Sequence, residues 1–129
     1  MSGKIKGFLI DVYNKKQATE IEFEDTLDNI YKILDVQTID VACIEVGGHR
    51  YDFIVDDEGC FRNSAIPSVF DNAGNALLVE NVLVVNSNNE GDFTSLTDEQ
   101  IESLKIHLRT ALVFFNGKIE RLSVLFGTE

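Results

Sequence analysis

Two lone histidines, two cysteines and a dense run of acids are the side chains of this chain with the most evident chemical potential. His49, Asp56 and Cys60 lie within twelve residues of one another, an arrangement from which a Cys–His nucleophile could be assembled. Lowering a thiol pKa requires a helix N-terminus or a neighbouring cation, and neither stands beside Cys60 in the sequence. Asp56-Asp57-Glu58 could offer oxygen ligands to a hard cation, yet the alternating series of a calcium loop does not continue past Gly59. A solvated turn explains these acids better. His107 falls on the polar side of a helical stretch, reads as a surface residue, and has no Cys or carboxylate at metal-ligand spacing. Neither a metal site nor a cofactor is expected.

Arginines and loop aromatics suggest a different chemistry. Arg50 and Arg62 flank the acidic segment and Arg109 lies towards the C-terminus, with Arg121 beyond it. A guanidinium at a loop clamps phosphate or pyrophosphate through two parallel hydrogen bonds. Phe70 and Phe93 sit in or beside polar segments, where a ring can stack on a nucleobase. The candidate ligand-binding set is therefore Arg50, Arg62, Phe70, Phe93 and Arg109. Surface ion pairs and peripheral core packing are the competing explanation for each.

Bulk composition narrows the classes. The 129 residues carry 22 acids against 11 Lys and Arg, a formal charge of −11, which disfavours binding to nucleic-acid phosphates. With 44% hydrophobic residues, nine Phe and one Pro, the chain reads as one globular domain with a real core. No apolar stretch reaches bilayer-spanning length, and no signal peptide is expected at Met1-Ser2-Gly3-Lys4-Ile5-Lys6. Cys43 is expected as a small buried hydrophobe and Cys60 as a strand thiol, in a reducing cytoplasm.

The elements that must position these residues follow from periodicity. Lys4 to Val12 and Thr19 to Glu24 read as an N-terminal hairpin with a turn at Asn14-Lys15-Lys16. Thr26 caps a short helix whose face is Leu27, Ile30, Tyr31 and Leu34. Thr38 to Val46 is a strand. Gly47 to Phe61 reads as a hairpin with its turn at the acids and Gly59, and Gly47-Gly48 as a flexible entry to its first strand. Arg62 to Asn75 reads as a loop, and Leu77 to Asn86 as one buried strand. Thr97-Asp98-Glu99-Gln100 is a capping box. Ile101, Leu104, Leu108, Ala111, Leu112 and Phe115 then define a long helix stopped by Asn116-Gly117, with Lys118 to Phe126 as a final strand. The alternative makes Asn116-Gly117 a hairpin turn between two C-terminal strands. The fold class is α+β: an antiparallel sheet, an N-terminal hairpin, one short helix and one longer C-terminal helix. A core over residues 1–105 would carry an extension over 106–129 suited to oligomerisation.

Gly47-Gly48-x-x-Tyr51-Asp52-x-Ile54-x-Asp56-Asp57-Glu58-Gly59 resembles the domain-of-unknown-function family 3846, small acidic proteins of phages, plasmids and Firmicute genomes. Asn63-Ser64-Ala65, the turn from Asp71 to Leu78, the strand from Asn81 to Asn86 and Ser95 to Ile101 extend the likeness. In length, two-helix layout and C-terminal extension the chain is also similar to phage anti-Thoeris sponge proteins, which sequester cyclic ADP-ribose signals without cleaving them. That resemblance implies a non-enzymatic protein of the bacterial host cytoplasm, a homo-oligomer holding a small nucleotide-type ligand, with no nucleic-acid or membrane partner. It transfers no site residue. An acidic DNA mimic that binds a host defence enzyme is the alternative, and a small nucleotide hydrolase using Asp56, Asp57 or His49 is a third class.

Overall fold

The computed structural model describes residues 3–11, 19–58, 67–70, 76–115 and 118–125. Among them, six strands form one antiparallel sheet, and four form a second, mixed sheet in which one neighbouring pair is parallel. The strands of the first sheet are β1 (Lys4–Ile10), β2 (Thr19–Glu24), β3 (Ile39–Val46), β4 (His49–Asp56), β7 (Val82–Ser87) and the short β8 (Phe93–Thr94). Their order is β2-β1-β7-β4-β3, with β8 on β7. The second sheet joins β5 (Pro67–Phe70), β6 (Ala76–Val79), β9 (Leu108–Phe115) and β10 (Lys118–Leu125) in the order β6-β5-β10-β9. Two helices complete the α+β architecture, α1 (Leu27–Leu34) and α2 (Asp98–His107).

Strand alternation sends each half of the core to one face of the first sheet. On one face Ile54, Leu83, Val85 and Phe23 meet Ile30 and Leu34 of α1. On the other, Phe8, Tyr51, Phe53, Val82 and Val84 meet Ile101 and Leu104 of α2, together with Val69 of β5 and Leu108 of β9. The central strand β7 is buried from Val82 to Val85, which is why its sequence is apolar without alternation.

Local chemistry sets the helix limits. Thr26 accepts the Asn29 amide and starts α1. At its far end Asp35 adopts a left-handed conformation (φ 56°), the Asp35 amide donates to the Lys32 carbonyl and the Val36 amide to that of Tyr31. This is a Schellman closure, with an aspartate where glycine is usual. Ile30 and Leu34 are buried as the periodicity predicts, whereas Leu27 is exposed. The Thr97–Gln100 capping box is present in full.

Several expectations are corrected. Gly47-Gly48 is itself the hairpin turn: β3 pairs with β4 from Ile39↔Asp56 to Val46↔His49, and both glycines have positive φ, as a two-residue primed turn requires. The acidic segment does not turn β4 back on itself, because β3 and β7 occupy its two edges. The stretch from Arg62 to Asn75 contains strand β5, which Pro67 opens, a position where the missing amide is tolerated. The single strand expected from Leu77 to Asn86 is two strands in different sheets, divided at Glu80, whose φ of 64° re-aims the chain. Helix α2 ends at His107, and Leu108–Phe115 pairs residue for residue with Lys118–Leu125. The hairpin alternative therefore holds: eight residues rich in β-branched and aromatic side chains satisfy their backbone in a ladder instead of extending the helix. Cys43 is exposed, because α1 covers edge strand β3 only as far as Ile39. The turn at Asn14-Lys15-Lys16, Gly59, Cys60, Asn63-Ser64-Ala65, Asp71 to Asn75 and Asn116-Gly117 lie outside the described residues.

Candidate functional site

Alternation along β4 divides its polar residues between the two faces. His49 and Tyr51 share the α2 side with Phe53, and Arg50 and Asp52 share the α1 side with Ile54. The sequence candidates can be placed on this frame. Arg50 is exposed and stands directly across from Glu45. Phe93 is half-buried against the α1-side core and pairs with Ser87. The β4–β7 register runs Asp52↔Val85, Phe53↔Val84, Ile54↔Leu83; continued by one like-facing step it brings Arg50 level with Ser87. By this extension Arg50 and Phe93 fall on one face, about two strand spacings (about 10 Å) apart. Phe70 closes β5 and Arg109 is the second residue of β9, both in the other sheet, with their side chains outside the described residues; Arg62 lies outside them altogether.

The acids that suggested a cation loop form a turn. Asp56 is 8% exposed and its Oδ1 accepts the Glu58 amide at 3.0 Å, while Asp57 and Glu58 face solvent. That is the local side-chain-to-backbone bond typical of Asx turns. Lys6 on β1 joins Asp98 at 3.1 Å and Glu20 at 3.8 Å, and its pKa is raised by the hydrogen bond to Asp98 and then by the charges of Asp98 and Glu20.

The α2 face holds a polar cluster that sequence reasoning missed. Gln100 Oε1 accepts from the Thr97 amide at 2.9 Å and from Asn86 Nδ2 at 2.6 Å. Gln100 Nε2 lies 2.6 Å from His49 Nε2, and Asn86 Nδ2 also donates to the Ser95 carbonyl at 3.0 Å. The His49 ring meets Tyr51 edge-on at 4.8 Å between centroids. Tyr51 is buried, which raises its phenol pKa, and a hydrogen bond to Ser103 opposes that rise. The signal available in advance was the capping-box Gln100, whose amide has more hydrogen-bonding capacity than a cap uses.

Ser103 and His107, one turn apart on α2, look like a nucleophile and its base. The geometry argues otherwise at the atom concerned. His107 Nδ1 is 2.8 Å from the Ser103 carbonyl, which can only accept, so Nδ1 carries the proton and cannot take one from Ser103 Oγ at 3.4 Å. His107 is half-buried over the Gly47 turn and not a surface residue.

Residues 5–109 match the family described as "Domain of unknown function (DUF3846)". The matched range takes in the whole first sheet but for Lys4, both helices and strands β5 and β6, and ends as β9 begins. No curated protein and no solved structure matches the chain. Among the described residues no helix is long and apolar enough to cross a membrane.

Proposed function

Since the chain belongs to this family, which brings a description but no activity, we propose a function from its likeness to phage sponge proteins, supported by its own side chains: a non-enzymatic counter-defence protein of a phage or mobile element. In this reading it acts in the bacterial cytoplasm and sequesters a nucleotide-type immune signal such as a cyclic ADP-ribose isomer. The β4–β7 register carries the reading: extended one like-facing step past Asp52↔Val85, it sets Arg50 on the face of Phe93 and about two strand spacings (about 10 Å) from it. A nucleotide separates its base from its phosphates by a sugar, so one ligand can stack on Phe93 and reach the Arg50 guanidinium. Glu45 opposite Arg50 and Asp52 beside it on the same face make this a site of shape and stacking more than of net positive charge. Arg62, Phe70 and Arg109 remain members of the proposed set, and a homo-oligomer would bring a second copy of each.

The test incubates the protein with cyclic ADP-ribose isomers produced by TIR enzymes, removes unbound ligand, then heat-denatures the protein and analyses what is released. Intact ligand recovered after heating supports sequestration. Altered ligand points to an enzyme, and no depletion before heating rejects the proposal.

A second reading has its own support. Glu20, Glu22 and Glu24 are exposed at alternate positions of edge strand β2, about 7 Å apart, on the side where Lys6 bridges Glu20 to Asp98. A line of evenly spaced carboxylates suits an acidic DNA mimic bound by a basic host defence enzyme. That reading predicts salt-sensitive association with such an enzyme and no small-molecule depletion.

A further inference from the structure

The cluster on the α2 face has a proton inventory that can be assigned atom by atom. Gln100 Oε1 receives two donors, the Thr97 amide and Asn86 Nδ2, so this arm is the oxygen and the other arm is the NH2 group. The NH2 group lies 2.6 Å from His49 Nε2, which must therefore accept, leaving the ring proton on Nδ1. Asn86 is oriented independently, because its Nδ2 donates to the Ser95 carbonyl. Its Oδ1 is 3.4 Å from Gln100 Nε2 and 3.3 Å from His49 Nε2.

We propose that His49 is a proton-operated release for the start of α2. In the neutral ring, Nε2 accepts from Gln100 and ties α2 to β4 and, through Asn86, to β7. A proton taken from solvent at Nε2 turns this contact into two donors facing each other at 2.6 Å. Among the described residues, the acceptor left within reach is Asn86 Oδ1 at 3.3 Å. The ring swings to it and the Gln100 amide withdraws. Withdrawal takes Oε1 away from the Thr97 amide, which opens half of the capping box and frees the first turn of α2.

From β4, Tyr51 lies under the ring as a neutral phenol, and Arg50 points to the opposite sheet face. From β3, Val46 is the residue across from His49, and Glu45 is on the opposite face with Arg50. From α2, Ser103 and His107 continue the inward side, while Asp98, Glu99 and Glu102 are exposed. From β7, Asn86 faces the ring.

The test uses the full chain. Long-range proton–nitrogen spectra at about pH 8 should find His49 Nε2 unprotonated and Nδ1 protonated. Lowering the pH to about 5 should lower the protection of the Thr97 amide, its exchange being taken relative to the intrinsic rate at the same pH. The melting temperature of the native chain should fall by several degrees more than that of His49→Phe, which keeps the ring contact with Tyr51. Gln100→Glu places a carboxylate oxygen against His49, accepts from both Thr97 and the imidazolium, and should abolish the excess fall. A proton on Nε2 at pH 8, or equal falls in the native chain and His49→Phe, overturns the proposal. If His49→Phe does not fold, an equal fall in the native chain and Gln100→Glu overturns it.

Discussion

A side chain added at Gly47 would lie 2.7 Å from Cε1 of His107 and 2.9 Å from Ser103 Oγ, so the β3–β4 turn is packed flush against the end of α2. Gly48, with φ of 85°, has nothing within 4 Å of the same position. The two neighbours thus separate backbone strain from steric conflict. Gly48→Ala should cost about 1 kcal/mol through its left-handed backbone alone. Gly47→Ala adds overpacking against two side chains and should cost about 2–4 kcal/mol. Urea unfolding of the pair checks the difference.

Tyr51→Phe should cost about 1 kcal/mol at neutral pH, the worth of its bond to Ser103. The same variant should change behaviour in alkali. Burial raises the folded-state phenol above its ordinary value of 10.0, so the unfolded chain releases the proton first. The contribution is whole below pH 10.0 and is lost as pH rises from there through the folded-state value. Stability measured across that window should decline less steeply in Tyr51→Phe than in the native chain.

Asp35→Gly should raise stability. The Schellman closure already demands a left-handed residue at this exposed position, and glycine meets that demand without the strain an aspartate carries. A gain of about 0.5–1 kcal/mol in chemical denaturation is expected.

Thr97→Ala removes one side of the capping box and should cost about 1 kcal/mol. Gln100→Ala should cost more, because the same amide also holds Asn86 and His49. A double-mutant cycle between Gln100 and Asn86 should give a coupling of about 0.5–3 kcal/mol, as expected for residues sharing one network.

On the proposed sequestering function, Arg50→Ala should lower ligand affinity at least tenfold, about 1.4 kcal/mol, while leaving the melting temperature unchanged, since the side chain is exposed. Phe93→Leu keeps most of the packing against the α1-side core and removes the stacking face, so it too should weaken binding more than stability. Titration calorimetry with a cyclic ADP-ribose isomer checks both.

The elements that the sequence made legible are those with local signatures. Thr26, the Thr97–Gln100 box and the alternation of β2 each depend on residues a few positions apart, and each is present. Failures occurred where distant partners decide. Leu108–Phe115 has the same apolar spacing in a helix as in a ladder, and only its partner Lys118–Leu125 selects the strand. Gly47-Gly48 reads as an entry to a hairpin in sequence, since nothing local marks Ile39–Val46 as the mate of β4. At the site, Arg50 and Phe93 could be proposed as types but not as neighbours, since the row joining them crosses β7. The His49–Asn86–Gln100 cluster unites three elements separated by 37 and 14 positions, and its one local signal is the spare hydrogen-bonding capacity of the capping-box Gln100.

The position of β7 has a consequence for synthesis. Its two neighbours, β1 and β4, belong to hairpins that are complete before residue 60 leaves the ribosome, yet the strand that joins them begins only at Val82. Until then the nascent chain carries two separate ribbons, each with a bare inner edge lined by Phe8 and Ile10 or by Phe53 and Ile54. A two-stranded ribbon is marginal in water, so neither half is stable until the late strand slots between them. Translation pauses or chaperone contacts should therefore matter most between the emergence of β4 and that of β7, when both edges are exposed to the wrong partner.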